Sequence, residues 1–225
     1  MVRFKLSPSD FGFLWEECRR CFWLKVAGKF PRPRAPFPKI FQAIDGIMKE
    51  YFEGKDASEI SPNLPPGTIE FGEREVESEP FSPPGTRAKC FISGKFDTAI
   101  AFRDGGYGVV DFKTSDVKAD NVGKYSRQLH AYAWALEHPA PSKPNLSPVK
   151  RLGLLVAEPV AMRKEGKGGY LYEVRSAWTE CRKDYGGFLE FLGEVVRVIE
   201  RPDPPAADPK CVWCAYRAEA AKRGG

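Results

Sequence analysis

Apolar positions in this chain recur at two spacings, steps of three to four and steps of two, in blocks separated by proline-rich connectors. Ser7-Pro8-Ser9-Asp10 places a capping hydroxyl, a proline suited to the first helical position and a carboxylate in the first turn. It predicts a helix running through Phe13, Leu14 and Cys18 to about residue 24. Pro31, Pro33, Pro36 and Pro38 then exclude regular structure. Phe37, Ile40, Phe41, Ile44, Ile47, Met48, Tyr51 and Phe52 follow helical spacing, which predicts an amphipathic helix over 37–52 with one buried stripe. Strands are expected over about 69–77, 88–102 and 108–114, the last two joined by the hairpin signal Arg103-Asp104-Gly105-Gly106-Tyr107. Tyr125, Leu129, Tyr132, Ala133 and Leu136 mark a further helix, ended by His138-Pro139. A buried strand over 151–157, an outer strand over 170–174 and a long helix over 179–199 complete the pattern.

The order helix, three strands, helix, strand predicts an α/β or α+β fold, a mixed central sheet flanked by helices. At 225 residues the chain is expected to form one domain over 1–225. Its core would span about 37–157, between an N-terminal cysteine-bearing helix, about 7–30, and a C-terminal segment, about 179–225. An apolar share of 42% with 29% charged residues excludes collagen-like, coiled-coil and disordered classes. A net charge of +5 suits an anionic partner such as nucleic acid without establishing one. No apolar run is long enough to span a membrane, and MVRFKLSPSD lacks the apolar core of a signal peptide, so a soluble, cytoplasmic protein is expected. In that reducing setting the six cysteines argue against a disulfide framework. No phosphate-binding glycine loop or dinucleotide fingerprint is present, so ATP-driven activity is not expected.

The candidate chemistry begins in Val109-Val110-Asp111-Phe112-Lys113-Thr114. On a strand, Asp111 and Lys113 share one face and Phe112 takes the other. Apolar flanks make the strand a buried one, where a charge needs a partner or a metal. A carboxylate beside an amine suits hydrolysis of a phosphodiester: the carboxylate holds a divalent ion and the amine holds and activates water. A second carboxylate is wanted on the neighbouring strand, and Asp97 in Gly94-Lys95-Phe96-Asp97 offers it. A three-residue loop, 104–106, would set Asp97 opposite Lys113 and diagonal to Asp111, on one face; a two-residue loop, 104–105, would turn Asp97 away.

Taken in order, Gly94-x-x-Asp97, then Asp111-Phe112-Lys113-Thr114, then Gln128-Leu129-His130-Ala131-Tyr132 resembles the RecB-like branch of the PD-(D/E)XK nuclease superfamily. That branch includes nuclease modules of helicase-nucleases and CRISPR-adaptation exonucleases. The resemblance implies a restriction-endonuclease-like αβββαβ core and a DNA nuclease, acting on single strands or ends. It also implies that Asp97 and Asp111 ligate Mg²⁺ or Mn²⁺, that the Phe112 carbonyl adds a ligand, and that Lys113 orients the attacking water. Gln128 and Tyr132, one turn apart, correspond to the helical QxxxY motif; read on their own they are equally a surface glutamine beside a core tyrosine. Where the family often carries a histidine on the preceding helix, this chain has Asp45, either a further ligand or an ordinary boundary aspartate. A helicase or a CRISPR or recombination partner goes with the resemblance.

Cys18-Arg19-Arg20-Cys21 and Cys211-Val212-Trp213-Cys214 are paired C-x2-C spacings, together offering the four thiolates of a zinc site or a four-iron cluster. Spacing alone favours zinc. The resemblance favours a 4Fe-4S cluster stapling the two chain ends, although the iron-sulfur relatives usually supply one N-terminal and three C-terminal cysteines where this chain supplies two and two. Cys90 and Cys181, expected in a strand and a helix, read as buried hydrophobes. Lys25, Lys29, Arg32, Arg34 and Lys39 crowd the first proline-rich connector, a nucleic-acid track or a solvated loop. Two alternatives to a nuclease stand: a non-catalytic nucleic-acid-binding subunit of the same fold, and a zinc-stapled interaction protein.

Overall fold

The computed structural model describes residues 3–33, 36, 38–114 and 122–224; Arg34 and Phe37 lie outside them. Strand β1 (Arg3–Leu6) opens the chain, followed by helices α1 (Pro8–Gly12), α2 (Leu14–Glu17), α3 (Arg19–Val26) and α4 (Lys39–Phe52). Strands β2 (Gly67–Glu70), β3 (Arg74–Glu77), β4 (Lys89–Phe96), β5 (Thr98–Phe102) and β6 (Tyr107–Lys113) lead to helix α5 (Val122–Glu137). The chain ends with strands β7 (Val149–Glu165) and β8 (Gly169–Cys181) and helices α6 (Tyr185–Ile199) and α7 (Val212–Gly224). The strands form two mixed sheets, ordered β1-β4-β3 and β2-β5-β6-β7-β8. Among the described residues, only β1 with β4 and β6 with β7 run parallel. Helices flank these sheets, as in the restriction-endonuclease-like fold.

The sheets meet at a corner that decides where chemistry can sit. Glu70 pairs with Ala99 and Arg74 with Phe96, so Phe71, Gly72 and Glu73 stand against only Asp97 and Thr98. That extra residue is a bulge, with Phe71 in the left-handed region at φ 61°. Both expected strands, 69–77 and 88–102, are therefore each cut in two, and Asp97 is delivered at the bend.

Other expectations also need correcting. The first helix is three short helices, broken at Phe13, at φ −118° and ψ −72°, and at Cys18, extended at φ −168° and ψ 108°. The strand expected over 170–174 is the first part of the longer β8, which pairs with β7 in a ribbon reaching from Leu152 and Cys181 out to Glu165 and Gly169. Residues 179–181 accordingly belong to β8, the long helix starts at Tyr185, and Cys181 lies in a strand. Helix α4 forms over nearly the expected span, but its apolar stripe is not buried: Ile47 is 66% and Tyr51 53% exposed, and no residue of the helix is fully covered. Only Met48 and Phe52 pack against a core.

That core is the smaller of two. Ile69, Ile100, Val110, Phe112 and Leu155 fill the face of the five-stranded sheet beneath α4. Val109, Leu152 and Leu154 fill the opposite face, with Leu129, Ala133 and Leu136 of α5 and Leu192 and Val196 of α6. No helix of the described residues is long and apolar enough to cross a membrane.

Gly153 of β7 is required by its neighbour: a Cβ there would lie 2.2 Å from the Trp178 ring and 2.8 Å from the Thr179 carbonyl oxygen. Gly153→Ala is expected to destabilise by roughly 1–3 kcal/mol through overpacking. Gly46→Ala in α4 meets no atom within 4 Å and is expected to be neutral or stabilising by up to about 1 kcal/mol. Thermal unfolding of the two variants side by side checks this; equal melting temperatures would contradict it.

Candidate active site

Asp111 shares the face of Val109 toward α5 and is 2% exposed. Two groups meet it there. Gln128 Nε2 donates to its Oδ1 at 3.0 Å, and Lys113 Nζ lies in ion-pair contact with Oδ2, on which no hydrogen-bond donor is aligned. The Gln128 amide also donates to the Tyr132 hydroxyl at 3.3 Å, so both residues of that helical pair face inward rather than one lying on the surface. Burial holds the Tyr132 hydroxyl well above its usual range, keeping it neutral. Lys113 Nζ also lies 4.9 Å from the Tyr125 ring centroid.

Asp97 reaches the same place by a register different from either expected one. Thr98 pairs with Val110 and Ala101 with Tyr107, and Phe102 N donates to Gly106 O, so the three-residue loop is 103–105. Continued by one residue, this register sets Asp97 opposite Asp111 instead of Lys113. A shift of two residues preserves the face, so the carboxylates still converge. Phe112 N donates to Asp97 Oδ2 at 2.8 Å. In an extended strand a residue's N–H and C=O point to one side, so the Phe112 carbonyl is turned the same way.

The residue that sequence reasoning missed is Lys49. It extends from α4 between two carboxylates, 2.7 Å from Asp45 Oδ2 and 3.0 Å from Asp97 Oδ1. Burial opposes its charge, but the hydrogen bonds and charges of Asp45 and Asp97 outweigh that and hold its ammonium above the ordinary lysine range. The available signal was the helical i,i+4 spacing of Asp45 and Lys49. Asp45 thus faces the site but is joined to Asp97 through an ammonium. Among the described residues, the three aspartates do not form a set of carboxylate oxygens within 4.8 Å of one another.

A cleft of about 660 Å³ is lined by Phe13, Phe41, Asp45, Lys49, Lys113 and Tyr125; Asp97 and Asp111 do not line it and adjoin it through their ion pairs with Lys49 and Lys113. The donor chemistry fits a hard divalent cation: carboxylate oxygens on one strand and at the neighbouring bend, one of them buried and met by the Lys113 ammonium without an aligned hydrogen bond, beside a strand carbonyl. Of the basic connector, Lys25 is bound to Asp10 at 2.6 Å, Lys29 donates to Val26 O, and Arg32 pairs with Glu17. Lys39 is exposed at the start of α4.

Where the N- and C-terminal segments meet, Cys18, Cys21, Cys211 and Cys214 converge, buried, with all four Sγ atoms within 4.8 Å of one another. This set can hold a metal. Cys90 and Cys181 stand apart; burial pushes their thiols up to about 12 and about 11, as befits unreactive hydrophobes.

Loss of water holds the Asp111 carboxyl above its usual range, at about 6, with Lys113 opposing the shift and Asp97 adding to it. Between pH about 6 and about 4 the folded protein therefore binds a proton that the unfolded chain does not. The contribution of Asp111 to stability is lowest above that window and grows as pH falls through it. Without added divalent metal, wild-type stability relative to Asp111→Asn is expected to rise as pH drops from about 7 to 5, by at most about 1.4 kcal/mol per unit. Urea unfolding of both proteins measures this; a flat difference would contradict the raised carboxyl.

No curated protein sequence matches this one. Solved structures do, among them one described as "Crystal structure of SSO0001", with 13% identity and a TM-score of 0.47, covering 95% of this chain and 84% of that one. The family model described as the PD-(D/E)XK nuclease superfamily matches residues 59–218. That span includes Asp97, Asp111, Lys113, Gln128, Tyr132, Cys211 and Cys214, and leaves out Asp45, Lys49, Cys18 and Cys21. With a match extending over more than two thirds of its length, the chain belongs to the PD-(D/E)XK nuclease superfamily.

Proposed function

We propose that this protein is a deoxyribonuclease of the RecB-like kind that hydrolyses phosphodiester bonds with Mg²⁺ or Mn²⁺, at single-stranded DNA or DNA ends. The superfamily is one of nucleases, generally metal-dependent. The observation that carries the reading is the meeting of Asp97 and Asp111 from neighbouring strands with the Lys113 ammonium, braced by Gln128. A divalent cation held here would polarise a phosphate and offset its charge. Asp97 and Asp111 supply its oxygens, with the Phe112 carbonyl and Asp45 as further donors. Gln128 fixes the Asp111 carboxylate, and Tyr132 fixes Gln128. Lys113 holds the attacking water in line and favours the hydroxide character it acquires. The cleft's Phe13, Phe41 and Tyr125 rings support a single-stranded substrate, whose unstacked bases can lie on aromatic faces. The four cysteines are read as a metal site tying the chain ends together, filled by a four-iron cluster or by zinc. A cytoplasmic setting goes with this, since the thiols must stay reduced to bind metal.

One observation favours the non-catalytic alternative: Lys49 lies between Asp45 and Asp97, an ammonium where a cation is wanted. Incubation with end-labelled single-stranded DNA and Mn²⁺ separates the readings. Cleavage by the wild type, reduced at least about 10³-fold in Asp111→Ala with DNA binding retained, is expected. Tight binding with no cleavage in any divalent metal supports the alternative.

Because the Lys49 ammonium competes for Asp97, Lys49→Gln is expected to lower the Mn²⁺ concentration needed for half-saturation several-fold. Calorimetric titration with Mn²⁺ measures this. Unchanged affinity would mean that the metal does not contend with Lys49.

A further inference from the structure

The four-cysteine site has a size, and that size distinguishes the two groups considered for it. Cys18 is the extended residue between α2 and α3, Cys21 lies in the first turn of α3, and Cys211 and Cys214 stand at the start of α7. The Sγ atoms of Cys18 and Cys214 are 3.7 Å apart, those of Cys21 and Cys211 3.7 Å, and those of Cys21 and Cys214 3.5 Å. Four thiolates placed tetrahedrally at about 2.3 Å from a single ion lie about 3.8 Å from each other. In a four-iron cluster each thiolate binds a different iron, and the whole iron-sulfide cube stands between them. Its thiolates therefore span a much larger tetrahedron than one whose corners all lie within 4.8 Å. To admit the cube, α3 and α7 would have to move apart.

Two disulfides do not account for the arrangement either. All four are free thiols, and their Sγ contacts of 3.5 to 3.7 Å stand far beyond a bonded S–S distance of about 2.05 Å. Charge points to thiolates around a cation. Arg32 Nη2 lies 3.4 Å from Cys211 Sγ and Arg217 Nη1 3.6 Å from Cys21 Sγ. Two guanidiniums, that of Arg32 shared with Glu17, offset part of the double negative charge that four thiolates and one dication leave.

The geometry points to a single Zn²⁺ in a tetrathiolate site, in place of the iron-sulfur cluster that the sequence resemblance implied. The inference rests on the metal-site reading of the cysteines and is independent of the nuclease reading. The ion's task follows from what α7 lacks. Val212 is 72% and Tyr216 69% exposed, and Cys214 is the one residue of the helix that is buried. Beyond Cys214 the helix packs on the core through half-buried Trp213, too little apolar burial to hold thirteen residues in place, so the metal-thiolate bonds to Cys18 and Cys21 supply the attachment.

Metal analysis of the full chain, purified anaerobically without chelator or metal-affinity resin, tests this. About one zinc per chain, negligible iron and acid-labile sulfide, and no colour are expected. All six cysteines should resist a thiol reagent in the native protein, Cys90 and Cys181 through burial alone; a strong chelator should release the other four and expose residues after 200 to protease. Apoprotein given ferrous iron and sulfide under reducing conditions should fail to assemble a cluster. About four irons and four sulfides per chain in the purified or reconstituted protein would overturn the inference. So would a metal-free protein that takes up no added zinc, whether its cysteines are free or joined as disulfides. None of these outcomes depends on DNA cleavage, so failure here and failure of the nuclease reading can be told apart.

Discussion

A carboxylate removed from water must have its charge answered by something else, and most of this structure is arranged around how that is done for Asp111. Lys113 answers it from two residues along the same strand, and Gln128 from the helix packed above. The answer is incomplete: Oδ2 has no aligned hydrogen-bond donor, and the carboxyl is held near pH 6. Asp97 adds a second negative charge from the adjoining strand. Such a site is costly to the fold and ready to accept a cation, a common compromise between stability and function.

The fold positions these charges with backbone devices. The bulge at Phe71–Glu73 bends a long hairpin from one sheet into the other and leaves Asp97 at the bend. The parallel pairing of β6 with β7 buries Asp111 in the interior of the sheet. Helix α5, fixed by Leu129, Ala133 and Leu136, brings Gln128 and Tyr132 over it. Helix α4 is held more loosely, by Met48, Phe52 and the ion pair of Lys49 with Asp97.

How much of this the sequence disclosed depended on the kind of signal. The shared face of Asp97 and Asp111 was legible because face depends only on whether a register is odd or even, and an error of two residues leaves it intact. The bulge was not, because Phe71 carries no residue-type mark of a positive φ. The α4 helix was legible from its period, but the period says only which residues share a face and not whether anything covers it. The long β7–β8 ribbon was missed because Pro159 and exposed Arg163, Lys164 and Lys167 read as loop. Helix α7 was missed since it has no apolar stripe; the cysteines at its start were the only sign that it docks. Lys49 was overlooked because an i,i+4 acid–base pair on a helix is ordinarily a surface feature, and nothing local says that a second carboxylate waits at the sheet corner 48 residues later.

Two sites of opposite chemistry thus sit in one chain: hard oxygen donors at the sheet corner and soft thiolates where the ends meet. The central claim is that Asp97 and Asp111 share a divalent cation. Anomalous diffraction from crystals grown with Mn²⁺ tests it most directly. The account predicts one strong peak within coordination distance of both carboxylates, with Lys49 swung away from Asp97. Crystals in which Lys49 still bridges Asp45 and Asp97, and manganese is absent from the corner, would contradict it.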